Sequence, residues 1–550
     1  MRIGRALTAV VCGALAVAVA PAAARAERGL LVGVSENGLK YEAPRTAAGV
    51  DELGARGVRI TVAWDPAESV LAGEERQWLD RAVAAAGPGV RIVLAAYGPS
   101  ASAPDTDAER GRYCSYVGSA LARYARIHDV VVWNEPNKSG FWRQQYDGAG
   151  RSVAPAMYEA LVAHCYDVLH GIRADVNVLT STSSRGNDDP NARSNVSHSP
   201  GTFIRGMGEA YRASGRTKPI FDTVGHHPYG EHSAERPWRR HPLSSTIGEG
   251  DWDKLVQAYH DAFARTLQPN PGRCVAGRCA PIWYMEVGYQ TTLEPSKAGF
   301  YRGRENAETT VPAAGPGEPP GSRPDERSPA PDHGTQLADG IRLAYCQPYV
   351  AAYFNFLLQD EQDLEGWQSG VLWADGTRKG SYSAFAKAVA DVNAGNVDCP
   401  RYEALVLAAA PQRLAPAGSP ATGAGAAPVA FPAPRTDVAL LSVVWPTGRR
   451  FNWRNALWRF RLNAAEDATV TAVLRRVGPR RRRLSGVRTS GFAVRVPVRL
   501  GYLTWLTFPR RRLASGRYRF EALITSKASA SRTVKLVSPT FTVLRRPKKR

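Results

Sequence analysis

Val130-Val131-Val132-Trp133-Asn134-Glu135-Pro136-Asn137 opens on three β-branched residues and runs straight into an amide, a carboxylate and a proline. An unbroken apolar run of this kind reads as a strand buried on both faces, as in a parallel sheet, rather than one with a wet face. The pattern recurs on both sides of it. Strands are predicted at Leu30–Ser35, Val58–Trp64, Val90–Tyr97, Val130–Glu135, Val176–Thr182, Phe221–His227, Ile282–Val287 and Tyr349–Phe356. Helical spacing falls between them at Glu74–Ala86, Asp105–Arg126, Ala154–Arg173, Asp251–Leu267 and Thr335–Cys346, with Ser381–Val392 after the last. Eight strands alternating with helices predict an α/β fold, a (β/α)8 TIM barrel over residues 27–400. A doubly wound open sheet is the competing architecture, but no Gly-x-Gly-x-x-Gly turn or phosphate loop follows any strand.

The longest irregular stretch inside this domain, Thr291–His333, is proline-rich and follows the seventh predicted strand, at the face where such barrels place their chemistry. Residues 401–436 are Ala/Pro/Gly-rich and read as a linker. Beyond it the pattern changes to strands alone: Val438–Trp445, Leu457–Leu462, Thr469–Leu474, Phe492–Val498, Leu503–Phe508, Tyr518–Thr525 and Val534–Leu544. Seven short strands predict a small all-β, Ig-like sandwich over 437–550.

Charge divides the chain the same way. The 550 residues carry a formal charge of +21, yet residues 437–550 hold 27 basic and 4 acidic residues, against 44 and 46 in the first 436. A nearly neutral body thus precedes a strongly basic module. Arg2 and Arg5 precede an apolar run from Ala6 to Ala20 and the triplet Ala24-Arg25-Ala26, a secretory signal peptide over 1–26 with cleavage before Glu27. The run is shorter than the ~20 residues a spanning helix needs, and no later segment is apolar enough, so no transmembrane segment is expected after signal removal. Export places Cys114, Cys165, Cys274, Cys279, Cys346 and Cys399 in an oxidising compartment, where an even number favours disulfides over metal. Cys274 and Cys279 read as one locally closed loop. The other four leave their pairing open.

In the seventh predicted strand, Ile282-Trp283-Tyr284-Met285-Glu286-Val287 carries a second carboxylate to a strand end. Two carboxylates facing one cleft suit glycosidic cleavage, which needs an acid for the leaving oxygen and an ionised group at the anomeric carbon. With Trp133-Asn134-Glu135-Pro136 and Tyr284-Met285-Glu286, the chain resembles the clan A glycoside hydrolases, retaining barrel enzymes related to families 5 and 39. Arg59 in Gly57-Val58-Arg59-Ile60 is similar to that clan's strand-two arginine, and His227-Pro228-Tyr229 to its strand-six His-x-Tyr. Gly366-Trp367-Gln368-Ser369-Gly370 resembles its passage from strand eight to helix eight. Where family 5 has a histidine after strand three, Tyr97-Gly98-Pro99 stands here.

The resemblance implies a double displacement with Glu286 as nucleophile and Glu135 as general acid/base, the latter's pKa expected to be raised by Glu286 and its surroundings. Asn134 would bond the sugar 2-hydroxyl, Tyr229 would hold Glu286, and Arg59 would keep it ionised, with His227 in the same binding set. Trp64, Trp142, Tyr289 and Trp367 are expected as exposed aromatics on which sugar faces stack. His226 reads as a packed neighbour of His227. No cofactor or metal is expected. The expected partner is an oligo- or polysaccharide. The runs Arg480–Arg483 and Arg510–Arg512 and the Arg545–Arg550 tail suggest an anionic cell-wall polymer as a second partner, and export argues against nucleic acid. The whole reads as a secreted or cell-surface bacterial protein; an inactive carbohydrate-binding or cell-wall protein is the alternative.

Overall fold

A computed structural model describes residues 29–242, 244–305, 309–313, 332–409 and nine strands between 441 and 543. The predicted signal peptide, residues 410–436 of the linker, the middle of the Thr291–His333 stretch and the dense arginine runs lie outside the described residues.

All eight predicted strands of the first domain form. β1 (Leu31–Ser35), β2 (Gly57–Ala63), β3 (Arg91–Tyr97), β4 (Ile127–Val132), β5 (Asn177–Leu179), β6 (Thr182–Ser183), β7 (Val224–His227), β8 (Ile282–Val287) and β9 (Val350–Asn355) make one parallel nine-stranded sheet. Their order is β5-β4-β3-β2-β1-β9-β8-β7-β6. The predicted strand Val176–Thr182 supplies both β5 and β6, interrupted at Thr180 and Ser181. It therefore stands at both ends of the order: β5 pairs with β4, β6 pairs with β7, and Leu179 bridges Thr223 just ahead of β7.

Side chains from strands far apart in that order, among them Val93, Val131, Leu179, Trp283 and Phe354, touch in one buried cluster. The sheet is thus curled in a TIM-like manner around a packed interior. Phe354 fills the space left by Gly33 and Gly57, where an added Cβ would lie 2.6 and 2.9 Å from its ring. Burying such a ring is worth roughly 1.5–3 kcal/mol.

Ten helices are described: α1 (Gly38–Tyr41), α2 (Ala43–Glu52), α3 (Gly73–Ala85), α4 (Asp107–Arg123), α5 (Ala154–Ile172), α6 (Pro200–Ala213), α7 (Trp252–Ala262), α8 (His333–Cys346), α9 (Tyr382–Asn393) and α10 (Cys399–Ala408). α4 starts with a reciprocal capping box between Thr106 and Glu109, which satisfies backbone donors at its first turn. Three helices go beyond the sequence reading: α1 and α2, between the first two strands, and α6. A fourth corrects a boundary. α10 continues eight residues into the predicted 401–436 linker, and its Tyr402 and Val406 pack with Trp238 and Leu343.

The six cysteines form three disulfides: Cys114–Cys165 ties α4 to α5, Cys346–Cys399 ties α8 to α10, and Cys274–Cys279 closes a local loop. Among the described residues, no helix is long and apolar enough to cross a membrane.

The C-terminal strands are β10 (Leu441–Val444), β11 (Arg450–Phe451), β12 (Trp458–Ala464), β13 (Ala468–Val477), β14 (Ala493–Val498), β15 (Leu503–Phe508), β16 (Gly516–Ser526), β17 (Thr533–Val537) and β18 (Phe541–Val543). They form a three-stranded sheet, β10-β12-β15, and a six-stranded one. Every pair is antiparallel except β11 with β18. Each of the seven predicted strands is represented, and the last one divides into β17 and β18.

Candidate active site

The strands and the segments that follow them deliver the polar residues. Arg59 comes from β2, Glu286 from β8 and His227 from the last residue of β7, while Asn134 and Glu135 follow β4 directly. Arg59 Nη1 lies 2.8 Å from Glu286 Oε1 and also donates to Ser35 Oγ at 2.9 Å, and its Nη2 donates to Asn134 Oδ1 at 2.8 Å. Tyr229 Oη donates to Glu286 Oε2 at 3.2 Å. His227 Nδ1 stands between the carboxylates, 3.0 Å from Glu135 Oε1 and 3.3 Å from Glu286 Oε2.

A hydrogen-bond ring fixes that histidine. The Glu135 N–H donates to Ser181 Oγ at 3.4 Å, Ser181 Oγ pairs with His227 Nε2 at 3.4 Å, and His227 Nδ1 pairs with Glu135 Oε1. The ring closes with consistent donors when the proton sits on Nδ1 and Nε2 accepts.

The chain leaves β4 in an unusual conformation, with Trp133 at φ 63° and Glu135 at φ 37°. Left-handed backbone costs roughly 1–3 kcal/mol at a residue with a side chain and persists only where packing over-determines it. Here the Trp133 N–H donates to Tyr113 Oη at 2.9 Å and its Nε1 to Phe141 O at 2.8 Å, while its ring packs against Trp64, Tyr113 and Trp142. The predicted strand Val130–Glu135 accordingly ends at Val132.

This arrangement corrects three of the aromatic expectations. Trp64 and Trp142 are each 1 % exposed and clamp Trp133, so they cannot offer a face to a sugar. Tyr289 is buried, and its hydroxyl donates to Glu249 Oε2 at 3.5 Å. Trp367 is half-buried, and its ring lies 4.9 Å from that of Tyr229, next to Glu286. His226 is packed as expected, between Thr182 Oγ1 and the Ile247 carbonyl.

The electrostatics of Glu135 also differ from expectation. Burial acts to raise its carboxyl, but Lys138 Nζ at 3.0 Å and the bond to His227 outweigh it and hold the group down to about 2. Lys138 went unnoticed in the sequence. It lies three residues past Glu135, and the turn after β4 brings it back onto that carboxylate. Tyr97, at the end of β3, also faces this centre: burial raises its hydroxyl, with Arg59, Glu286 and Glu135 all acting on it.

Glu135, His227 and Glu286 bring ligand atoms within 4.8 Å of one another, as do Glu231, Glu235 and His241 in the segment after β7. In the second group His241 Nδ1 is held by Asp251 Oδ2 at 2.7 Å and its Nε2 by Glu235 Oε2 at 3.1 Å.

No protein-family model matches the chain, and no curated protein matches it. Among solved structures it is similar to a family 39 glycoside hydrolase from Bacteroides cellulosilyticus WH2, at 13 % identity over 88 % of this chain and 81 % of that one, TM-score 0.42. A GH5_18 structure from Streptomyces cattleya in complex with GlcNAc is 16 % identical over 67 % of this chain and 81 % of that one, TM-score 0.41. A calcium-binding mutant of Bacteroides uniformis beta-glucuronidase 2 is 11 % identical over 94 % of this chain, which spans 45 % of its length, TM-score 0.38.

Proposed function

We propose that the curled sheet is a complete (β/α)8 barrel and that the protein is a secreted retaining glycoside hydrolase. The observation that carries this reading is the pair of carboxylates, Glu135 and Glu286, whose oxygens approach within 4.8 Å across His227. Retaining enzymes set their carboxyls ~5–5.5 Å apart, whereas inverting ones leave ~6.5–9.5 Å for a water. Glu286, held and oriented by Arg59 and Tyr229, attacks the anomeric carbon. Glu135 protonates the leaving oxygen and then, ionised, takes a proton from the water that releases the sugar. Asn134, positioned by Arg59, donates its amide N–H groups to the sugar 2-hydroxyl, and Trp367 stacks on a ring face. The C-terminal sheets form an Ig-like module, and its basic charge retains the enzyme at anionic cell-wall polymers.

The test is hydrolysis of a panel of aryl glycosides and polysaccharides by wild type, Glu135→Ala and Glu286→Ala. Loss of turnover in both, with azide rescuing Glu135→Ala to a glycosyl azide of retained configuration and Glu286→Ala to one of inverted configuration, is the expected result. Turnover surviving Glu286→Ala would overturn the assignment of the nucleophile. Binding of glycans without any turnover would favour a carbohydrate-binding protein instead.

A further inference from the structure

The two carboxylates of the candidate site are neutralised by two permanent cations. Arg59 Nη1 serves Glu286 at 2.8 Å and Lys138 Nζ serves Glu135 at 3.0 Å. Charge is therefore matched only while Glu135 is ionised. The first half of a double displacement needs the opposite state, with Glu135 protonated. Arg59 then still faces Glu286, but Lys138 is left against a neutral acid.

The two cations differ in freedom. The Arg59 side chain is 2 % exposed and held by Ser35, Asn134 and Glu286, whereas that of Lys138 is 27 % exposed. Among the described residues Glu135 is the one carboxylate paired with Lys138. Its backbone is fixed by its own N–H donating to the Glu135 carbonyl at 2.9 Å and by a bridge to Ser197, so only the flexible side chain is free to move. The groups facing Glu135 from the other elements are Ser181 and His227, with Glu286, Tyr229 and Arg59 reached through His227.

We propose that Lys138 selects a glycan bearing an anionic group, a carboxylate or a sulfate, beside the scissile bond. That group draws the ammonium off Glu135 Oε2, so Glu135 takes up a proton from water as substrate binds. A neutral glycan leaves Lys138 on Glu135 and the acid ionised. Lys138 is thus a specificity-determining residue acting on the substrate and, through its departure, on the acid. This inference rests on the glycosidase reading.

The experiment compares acidic and neutral members of matched pairs: aryl β-glucuronide and aryl β-glucoside 6-sulfate, each against aryl β-glucoside. Wild type is expected to favour the acidic member at least tenfold in kcat/KM. The uronate and sulfate arms show which anion is used. Lys138→Met is expected to cut that ratio at least tenfold, and Lys138→Arg to restore most of it. On the acidic substrate, the basic limb of kcat should lie at least one pH unit above that of kcat/KM in wild type, since the first reports Glu135 in the complex and the second the free enzyme. In Lys138→Met the two limbs should converge. Preference of wild type for neutral glycans, or equal losses on both members in Lys138→Met with an unchanged melting temperature, overturns the inference and leaves the glycosidase reading standing. Absence of turnover on every substrate overturns both.

Discussion

Arg59 Nη1 reaches Glu286 Oε1 at 2.8 Å in a setting where the arginine side chain is 2 % and the glutamate side chain 10 % exposed. Desolvated charges of this kind are tolerated only when paired, and removing one partner leaves the other uncompensated. The arginine also fixes Asn134, so one guanidinium aligns groups from β2, β8 and the segment after β4. Arg59→Met should lower the unfolding free energy by about 3–5 kcal/mol and kcat by at least a hundredfold. Arg59→Lys should recover stability better than rate, because an ammonium cannot hold Glu286 and Asn134 in one planar fork. Denaturant titration and initial rates check both.

Trp142 and Trp367 should separate cleanly. Trp142 is buried against Trp133 and Tyr158, so Trp142→Ala removes core volume and should cost about 3–5 kcal/mol. Trp367, half-buried beside Tyr229 and Phe356, should lose less stability on truncation to Ala and instead raise KM for a glycan at least fivefold. Melting temperatures and Michaelis constants for the two variants distinguish a clamp from a platform.

The three disulfides close loops of very different length, with sequence separations of 51 for Cys114–Cys165, 53 for Cys346–Cys399 and 5 for Cys274–Cys279. On the chain-entropy model each long loop is worth about 4 kcal/mol and the short one about 2. Paired Cys→Ser variants of either long bridge should therefore shift the urea midpoint roughly twice as far as the Cys274/Cys279 variant. Equal shifts would mean that strain or residual structure in the unfolded chain dominates.

The strands were legible because a parallel sheet needs nearly continuous apolar runs, and Val130–Val132, Val58–Trp64 and Ile282–Val287 supply them. Of the unexpected helices, α1 is a single four-residue turn. α2, Ala-Pro-Arg-Thr-Ala-Ala-Gly-Val-Asp-Glu, buries only Thr46 and Val50. α6 begins Pro200-Gly201, which resembles a turn although proline suits a helix's first position. Glu135, Glu286, Arg59, His227 and Tyr229 could be found in sequence because strand ends converge in this architecture. The aromatic faces could not, since whether Trp64 looks into the core depends on the left-handed turn at Trp133. Lys138 was hidden for the same reason: only that turn folds it back onto Glu135.

His241 carries the pH dependence of the segment that follows Tyr229. Burial acts to lower its pKa, but Asp251 at 2.7 Å and Glu235 at 3.1 Å outweigh this and push it up to about 9. A group whose folded pKa exceeds the unfolded value of about 6.5 stabilises the fold fully below that value and progressively less as pH rises through the folded one. The melting temperature of wild type should therefore fall between roughly pH 6.5 and 9, by an amount corresponding to at most about 3 kcal/mol. His241→Gln should be less stable than wild type at pH 6 and should lose most of the slope across that window. An equally steep slope in the variant would place the titrating group elsewhere.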